Sequence, residues 1–478
     1  MMKTLFLILT TFLIFGVVFG QQPDLTELSK MEGGKRVLEY FKAFNSGDEQ
    51  QLKDFFLQNL TSEALSRRPV EPRLEFHREL RSEHKTFEIK DIVSINIEDV
   101  VDVELLVQGK NGGWIKYTFT FEKNSPQKLQ GWQIELTDAP TSGEKKTYEV
   151  PKTNVEFLST TEKYLNDLVS EDKFSGVVLV AKGDKPIFAK AYGLADKEKN
   201  VPNKVDTKFN LGSINKTFTQ IAIGQLIEQG KISYDDKLGK YLPDYPNKEA
   251  AEKVTVRHLL NMSSGVGDFF GQKYLATPKE KLRNINDFIP LFSDKPLAFE
   301  PGTKNQYSNG GYILLGAIIE KVTGKSYYDY VRTNIYQPLG MTDTDYFESD
   351  KKTPNMAEGY TTNGVKSSAQ SKRQNNLDTR PARGTSAGGG YSTAQDLLKF
   401  SLALQSGKIK SPEESPSQKD SNGKFMGLGI AGGSPGVNAI LEIMPEQGYT
   451  IIVLSNYDPP SAEKLGIQIR NWTKELKD

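Results

Sequence analysis

The sequence predicts an α+β protein in which a small domain precedes a larger one, each built on an antiparallel sheet. Apolar and polar residues alternate through four segments between 87 and 136, directly after a region of helical period. A second set of strands opens near 174–196 and closes at 439–443 and 449–454, with a long helical region between them. The 478 residues of the chain suffice for two or three domains.

The first twenty residues predict a cleaved secretory signal, residues 1–20. Lys3 precedes an apolar run from Leu5 to Phe19, and the small residue Gly20 follows it. An uncleaved membrane anchor is the alternative, but no basic stop-transfer flank follows the run. No other segment is apolar enough to span a membrane. We therefore expect a secreted or periplasmic protein with no transmembrane segment after cleavage.

The composition excludes several classes of function. The 61 basic and 61 acidic residues balance, and no basic cluster marks a nucleic-acid surface. The chain has no cysteine, which excludes disulfides, thiol catalysis and cysteine–metal sites. Three histidines are too few for a histidine-rich zinc site, and His258 of the larger domain is expected to be structural. We expect no metal and no cofactor.

Residues 30–138 are predicted to form the small α+β domain. Residues 35–56 have helical periodicity, which is interrupted at 45–48 by residues that can end one helix and cap the next. The strands follow at 87–98, 101–109, 113–123 and 131–136. The pattern YFKAFNSGD followed by meandering strands resembles an NTF2-like domain. That resemblance implies a cone-like fold that holds a ligand or mediates dimerisation. His77 and His84 lie in a polar helical stretch and are expected to be solvated.

The larger domain is predicted at 153–478, after a polar, turn-rich linker at 139–152. A helix near 155–168 precedes two strands that are expected to pair in one sheet with the strands at 439–443 and 449–454. A terminal helix over 462–476 would cover that sheet. The intervening helical region would form a separate lobe.

Ser213 and Lys216 form the first candidate catalytic pair. A helix is expected to begin near them and to end at Gly230, and the spacing i, i+3 places both side chains on one helical face. A neutral lysine can take the proton of a serine hydroxyl. Lowering the pKa of a lysine from ~10.4 to near ~7 costs roughly 4 kcal/mol, which burial and a helix N-terminus can supply. Ser-x-x-Lys occurs eight times in the chain, so the pattern alone does not single out Ser213.

Tyr307 and Asn309 form the second candidate, in a loop before a helix. A phenol near an ammonium has a lowered pKa and can carry protons, while an asparagine amide both donates and accepts. Tyr-x-Asn also starts at Tyr164 and Tyr245, so this pattern too is unspecific alone.

The flanks of both motifs are specific. FNLGSINK (209–216), VTVRHLLNMSSGVGDF (254–269) and PGTKNQYSNGGYILLG (301–316) occur in order, and the chain resembles the serine β-lactamase-like family of the class C and DD-peptidase type from about residue 155 to its end. The resemblance implies the penicillin-recognising fold, with the site between the sheet and a helical lobe. It also implies that Ser213 is the nucleophile, that Lys216 and Tyr307 are the base system, and that Asn309 contacts the lysine and the substrate.

One stretch departs from the family pattern. The third motif, Lys-Thr-Gly or His-x-Gly, aligns with Ile430-Ala431-Gly432. An isoleucine cannot contact a substrate carboxylate as the usual basic residue does. The backbone amides of Ser213 and Gly433 can still form an oxyanion hole, with Gly432 beside them. The departure favours a substrate without that carboxylate.

Two functions are therefore open. The first is a secreted serine hydrolase that acts through an acyl-enzyme on an ester or amide, with a small molecule or a peptide as acyl substrate. The second is a catalytically impaired protein that retains the fold for binding or regulation. The sequence does not determine the oligomeric state or the substrate.

Overall fold

The computed structural model describes residues 25–67, 69–96, 101–137, 148–362, 373–412, 418–419 and 425–476. These residues divide into two compact units, one ending at 137 and the other beginning at 148. The predicted signal and most of the predicted linker lie outside the described residues. Within the described ranges, no helix is both long enough and apolar enough to cross a membrane.

The first unit places five helices before a four-stranded antiparallel meander. Its helices are α1 (Thr26–Lys30), α2 (Glu32–Ser46), α3 (Glu49–Asn59), α4 (Ser62–Arg67) and α5 (Val70–His84). Its strands, in the sheet order β1-β2-β3-β4, are β1 (Phe87–Asn96), β2 (Val101–Gly109), β3 (Trp114–Phe121) and β4 (Leu129–Thr137). Every second residue of β2 and β3 is buried, which confirms the predicted alternation. The NTF2-like assignment stays a prediction.

Two histidines of α5 are buried, so the expectation that they are solvated was wrong. The Nε2 atom of His77 lies 2.9 Å from the Tyr40 hydroxyl, and its Nδ1 lies 2.6 Å from the carbonyl oxygen of Arg73. The ring of His84 packs 5.3 Å from that of Phe87. An imidazole can replace an apolar side chain in a core when its nitrogens find partners, and the polar neighbours of His77 concealed this from the sequence pattern.

The second unit contains eleven α-helices among the described residues. They are α6 (Asn154–Ser170), α7 (Asn215–Glu228), α8 (Leu238–Tyr241), α9 (Lys248–Lys253), α10 (Val256–Leu260), α11 (Gln272–Ala276), α12 (Ile285–Phe288), α13 (Asn309–Thr323), α14 (Tyr327–Val331), α15 (Ala394–Gln405) and α16 (Ser461–Thr473).

Its longest strands form one antiparallel sheet, with short pairs elsewhere. The strands are β5 (Gly176–Lys182), β6 (Lys185–Tyr192), β7 (Leu194–Asp196), β8 (Val201–Pro202), β9 (Phe209–Asn210), β10 (Tyr360–Thr361), β11 (Gln374–Asn375), β12 (Tyr391–Ser392), β13 (Gln418–Lys419), β14 (Phe425–Ser434), β15 (Val437–Met444) and β16 (Tyr449–Ser455). The sheet order is β13-β14-β15-β16-β5-β6. Val177 of β5 pairs with Leu454 of β16, so the sheet is built from both ends of the unit, as predicted.

Different helices pack against the two faces of this sheet. On one face Val178, Val180 and Val453 pack in a core with Phe157 of α6 and Trp472 of α16. On the other face alternate residues of the same strands join the core of the helical lobe, which includes α7 and α13. Both helices are buried on nearly all sides rather than on one stripe. The predicted sheet, terminal helix and helical lobe are confirmed.

Candidate active site

Ser213 lies in a 3₁₀ turn (Gly212–Ile214) that leads directly into α7. Gly212 has a φ of +50°, and a Cβ built on it would lie 2.8 Å from the backbone nitrogen of Gly433 in β14. Glycine is needed here because a side chain would be strained in this conformation and would meet that backbone. The turn therefore approaches the sheet closely and holds Ser213, half-buried, where α7 meets β14.

Lys216 lies one turn after Ser213 and is almost completely buried, with 3% of its surface exposed. Its Nζ is 3.1 Å from the Oγ of Ser213, as the i, i+3 spacing predicts. The same nitrogen is 2.8 Å from the Oδ1 of Asn309 and 2.5 Å from the carbonyl oxygen of Ala387. Three oxygens thus surround the one nitrogen and hold it against the serine hydroxyl.

Burial lowers the pKa of Lys216 to about 7, because the ammonium loses its hydration. The negative charge of Asp268 acts in the opposite direction and raises it. The lowered pKa agrees with the expectation from the sequence. The lysine is therefore partly neutral near pH 7 and can accept a proton.

The pKa of Tyr307 is raised, whereas that of Lys216 is lowered. Its hydroxyl lies 2.5 Å from the Oγ of Ser213, and its ring lies 4.7 Å from the Nζ of Lys216. Although 53% of Tyr307 is exposed, partial desolvation of its hydroxyl raises its pKa above the ordinary value of 10.0, the hydrogen bond to Ser213 lowers it, and the negative charge of Asp268 raises it further. The predicted lowering of this pKa was wrong, because desolvation and the charge of Asp268 outweigh the hydrogen bond that lowers it.

Asn309 is the first residue of α13, and Asp268 holds its amide. The Oδ2 atom of Asp268 accepts hydrogen bonds from the Nδ2 of Asn309 at 2.7 Å and from its backbone N at 3.3 Å. Because the amide nitrogen points to the carboxylate, Oδ1 is the atom that faces Lys216. Asp268 lies within the matched block 254–269, but no local pattern in the sequence identified it as part of the site.

The glycine-rich segment 384–390 supplies the Ala387 carbonyl. A Cβ built on Gly388 would lie 3.0 Å from the carbonyl oxygen of Gly212, and one on Gly384 would lie 2.3 Å from the carbonyl carbon of Gly389. The segment therefore packs backbone against backbone beside the cleft. Its contact with Lys216 was missed, since a backbone carbonyl has no signature in residue type.

Gly432 and Gly433 lie in β14, next to Ser213. A Cβ on Gly432 would lie 2.1 Å from the carbonyl oxygen of Leu211 and 2.7 Å from the backbone nitrogen of Ser213. The amide region of Ser213 thus abuts this strand, which is the arrangement that an oxyanion hole requires. Ile430, on the same strand, is half-buried and packs against the core of the helical lobe.

One cavity of about 770 Å³ connects these groups. It is lined by Ser213, Tyr307, Asn309 and Gly433. Lys216 does not line it but contacts both Ser213 and Asn309. Ile430 is not among the residues that line it. The structure therefore brings together all six residues predicted from the sequence, and their catalytic roles stay predictions.

His258 lies outside this group. Its Nδ1 accepts a hydrogen bond from the backbone N of Thr255 at 3.3 Å and caps α10, and burial lowers its pKa. This is the structural role expected of it. In the part of the chain that the structure describes, no three His, Asp or Glu side chains are arranged to hold a metal ion.

Comparison with known proteins identifies relatives over most of the second unit. The family model described as "Beta-lactamase" matches residues 161–471. The putative penicillin-binding protein PbpX of Bacillus subtilis is 29% identical over 365 residues, which is 74% of this chain and 88% of that protein. Other curated relatives are matched over only 43% and 62% of their own length.

Two solved structures share the fold of the larger unit. A penicillin-binding protein from Bacillus halodurans is 31% identical with a TM-score of 0.56, and the match covers 64% of this chain and 99% of that one. The D-amino acid amidase of Ochrobactrum anthropi SV3 is 25% identical with a TM-score of 0.55, covering 66% and 98%. The predicted penicillin-recognising fold is confirmed, and the matches to solved structures extend to a hydrolase of amides.

Proposed function

This chain belongs to the β-lactamase family, and on that premise we propose that it is a secreted serine hydrolase that cleaves an ester or amide through an acyl-enzyme at Ser213. The observation that carries the proposal is the 3.1 Å contact between Lys216 Nζ and Ser213 Oγ, with the pKa of the lysine lowered to about 7. A nucleophile and a base in direct contact are the minimum that this chemistry needs. The family relation to an amidase supports the class of reaction.

The proton positions follow from the opposite pKa shifts. A neutral Lys216 has two N–H groups, which donate to Asn309 Oδ1 and to the Ala387 carbonyl, and one lone pair, which faces the hydroxyl of Ser213. Tyr307 keeps its proton because its pKa is raised, and its hydroxyl donates to the Oγ of Ser213. Lys216 is therefore the base, and Tyr307 is the group that passes a proton onward.

The reaction then proceeds in two steps. In the first, the Oγ of Ser213 bonds to the carbonyl carbon of the substrate while its proton moves to Lys216. The bond to the leaving group breaks as Tyr307 gives the leaving atom its proton and is reprotonated by Lys216. In the second, water adds to the acyl carbon, the same groups carry its proton to Ser213, and the acid is released.

We place the developing oxyanion at the backbone amides of Ser213 and Gly433. Each is positioned by a close backbone approach that glycine permits, at Gly212 and Gly432. Removing one such donor typically costs about 10²–10³ in rate.

Ile430, which occupies the position of the third motif's basic residue, favours a substrate that carries no carboxylate to be bound there. Its side chain packs against the core of the lobe and does not line the cavity. An ester or amide of a neutral acyl group therefore fits this site better than a β-lactam or an acidic peptide. Measuring nitrocefin hydrolysis by the unaltered protein tests this point: we expect little turnover, and rapid turnover would contradict it.

Covalent labelling tests the proposed nucleophile. The protein is incubated with a fluorophosphonate probe, digested, and the adduct located by mass spectrometry. We expect the adduct on Ser213, and we expect Ser213→Ala to remove both the label and the hydrolysis of p-nitrophenyl acetate. Equal labelling and equal turnover in the wild type and in Ser213→Ala would contradict the proposal.

The second candidate, a binding or regulatory protein, is favoured by the apolar Ile430 and by the additional N-terminal domain. It predicts that no acyl donor is turned over and that Ser213→Ala leaves ligand affinity unchanged. A burst of p-nitrophenol equal to the concentration of protein would rule it out.

Secretion rests on residues 1–20, in which a basic start precedes an apolar run. We expect the protein outside the cytoplasm to begin after Gly20. An N-terminus at residue 1 on the exported protein, determined by mass spectrometry, would contradict cleavage and would favour the anchor.

A further inference from the structure

One wall of the cavity beside Ser213 consists of apolar and aromatic side chains. It is formed by Phe269 and Phe270, which precede α11, by Tyr274 and Leu275 of α11, and by Phe288 of α12. The ring of Phe269 lies 4.2 Å from that of Phe270, 5.5 Å from that of Tyr274 and 5.2 Å from that of Phe288. The wall is thus one packed cluster of rings.

Two members of this wall are exposed although they are apolar. Phe270 is 55% exposed and Leu275 is 70% exposed, while Phe269, Tyr274 and Phe288 beneath them are buried. Both exposed side chains line the cavity. Covering them with an apolar group of a ligand would be favourable, because apolar surface would be removed from water.

The wall is held in place before any ligand binds. The Oδ1 atom of Asp268 accepts a hydrogen bond from the backbone N of Phe270 at 3.0 Å. The hydroxyl of Tyr274 donates to the carbonyl oxygen of Thr379 at 2.9 Å, which ties α11 to another segment that lines the cavity. A preformed wall binds its ligand more tightly because little ordering is left to occur on binding.

The two basic residues that line the cavity are bonded to protein oxygens, and one acidic residue is exposed there. Its basic lining residues are engaged: Lys279 donates to the carbonyl oxygens of Tyr274 and Thr277 at 2.6 and 2.8 Å, and Arg380 pairs with Glu358 at 2.9 Å. The carboxylate of Asp378, in contrast, is exposed at the cavity. A substrate carboxylate placed beside Asp378 would be repelled by this negative charge.

We propose that the acyl group recognised here is bulky and apolar, of the arylalkyl class, and carries no carboxylate. The proposal rests on the proposed hydrolase function and adds the class of substrate to it. The ring of the substrate would cover Phe270 and Leu275, with its carbonyl carbon at Ser213.

A series of esters tests the proposal. We compare p-nitrophenyl phenylpropanoate, p-nitrophenyl acetate and the mono-p-nitrophenyl ester of succinic acid. We expect kcat/KM to be highest for the phenylpropanoate, by about tenfold or more over the acetate, and lowest for the succinate. In Phe270→Ala and in Leu275→Ala, the ratio of phenylpropanoate to acetate should fall about three- to tenfold. Leu158→Ala, which alters a 37% exposed leucine of α6 that does not line the cavity, should leave the ratio unchanged.

A binding measurement separates this inference from the proposed function. In Ser213→Ala, phenylpropanamide should bind more tightly than acetamide in calorimetry, and the additional Phe270→Ala change should remove most of that difference. Binding without any turnover or label in the wild type would refute the hydrolase and leave the apolar site standing. Labelling of Ser213 with no preference for the arylalkyl ester or amide, or with the succinate ester preferred, would overturn the inference and leave the hydrolase standing.

Discussion

Asp268 links two parts of the site through one carboxylate. Its Oδ2 accepts from Asn309, whose Oδ1 then faces Lys216, and its Oδ1 accepts from the backbone of Phe270 in the apolar wall. Its charge also raises the pKa of Lys216, which burial lowers. We regard Asp268 as a positioning residue that sets both the orientation of the amide and the protonation of the base.

Changing Asp268 should therefore move the pH dependence of the reaction. Activity requires neutral Lys216, so kcat/KM should rise with pH through about 7. Asp268→Asn removes a charge that favours the ammonium, so the pKa of Lys216 falls and the acidic limb should move down by roughly one pH unit. The measurement is the pH profile of p-nitrophenyl acetate hydrolysis.

The control for this change is Asp294→Asn. Asp294 is an exposed carboxylate that pairs with Lys273 at 2.6 Å and does not line the cavity. Its neutralisation removes the same charge and should leave the acidic limb in place. An acidic limb that stays where it is in Asp268→Asn, or that moves to higher pH, would be incompatible with this role for Asp268.

At the scale of elements, the contact between β14 and the turn before α7 decides the position of the nucleophile. Neither element forms the site alone, since Ser213 belongs to one and Gly432 and Gly433 to the other. The strand also pairs along its length with β15, from Leu428–Ile443 to Ser434–Val437, so it is a firm support. A small displacement of either element would separate the two backbone amides that we assign to the oxyanion.

Gly432→Ala should produce such a displacement. The added methyl would lie 2.1 Å from the carbonyl oxygen of Leu211, and backbone must move to admit it. We expect the rate of Ser213 labelling and of ester hydrolysis to fall by about 10²-fold or more while the circular dichroism spectrum is retained.

Gly429→Ala is the matched change in the same strand. Its methyl would lie 3.1 Å from the carboxylate at the end of the Glu442 side chain, so no backbone has to move to admit it. Activity close to that of the wild type is expected. Equal activity in the two alanine variants would show that the close approach of the backbones does not matter.

At the scale of the whole molecule, the two units have separate cores. Among the described residues, the core of the first unit includes Tyr40, Phe119 and Leu105, and none of its members belongs to the cores on either face of the larger sheet. We propose that they are independent domains joined by the polar stretch 139–152. The candidate site lies wholly in the second.

Matched core variants test this independence. Phe119→Ala and Phe218→Ala each empty a fully buried position and should destabilise their own domain by about 3–5 kcal/mol. Labelling of Ser213 in increasing urea should be unaffected by the first change and should fail at lower urea after the second. If Phe119→Ala lowered the urea midpoint of labelling as much as Phe218→Ala does, the domains would be coupled.

Much of this protein follows from the sequence by itself. The i, i+3 spacing determined the contact between Ser213 and Lys216, because a helical turn brings such residues together whatever surrounds them. Alternation in the strands determined which side chains of β2 and β3 are buried. The ordered motifs determined the family and hence the fold.

Only the tertiary structure decided the rest. Asp268 and Asn309 are 41 positions apart, and Lys216 and Ala387 are 171 apart, so no local period relates them. The burial of His77, the raised pKa of Tyr307 and the position of Ile430 away from the cleft depend on which elements pack together. Burial and electrostatics are properties of the folded surroundings, whereas spacing along one helix or strand is a property of the chain.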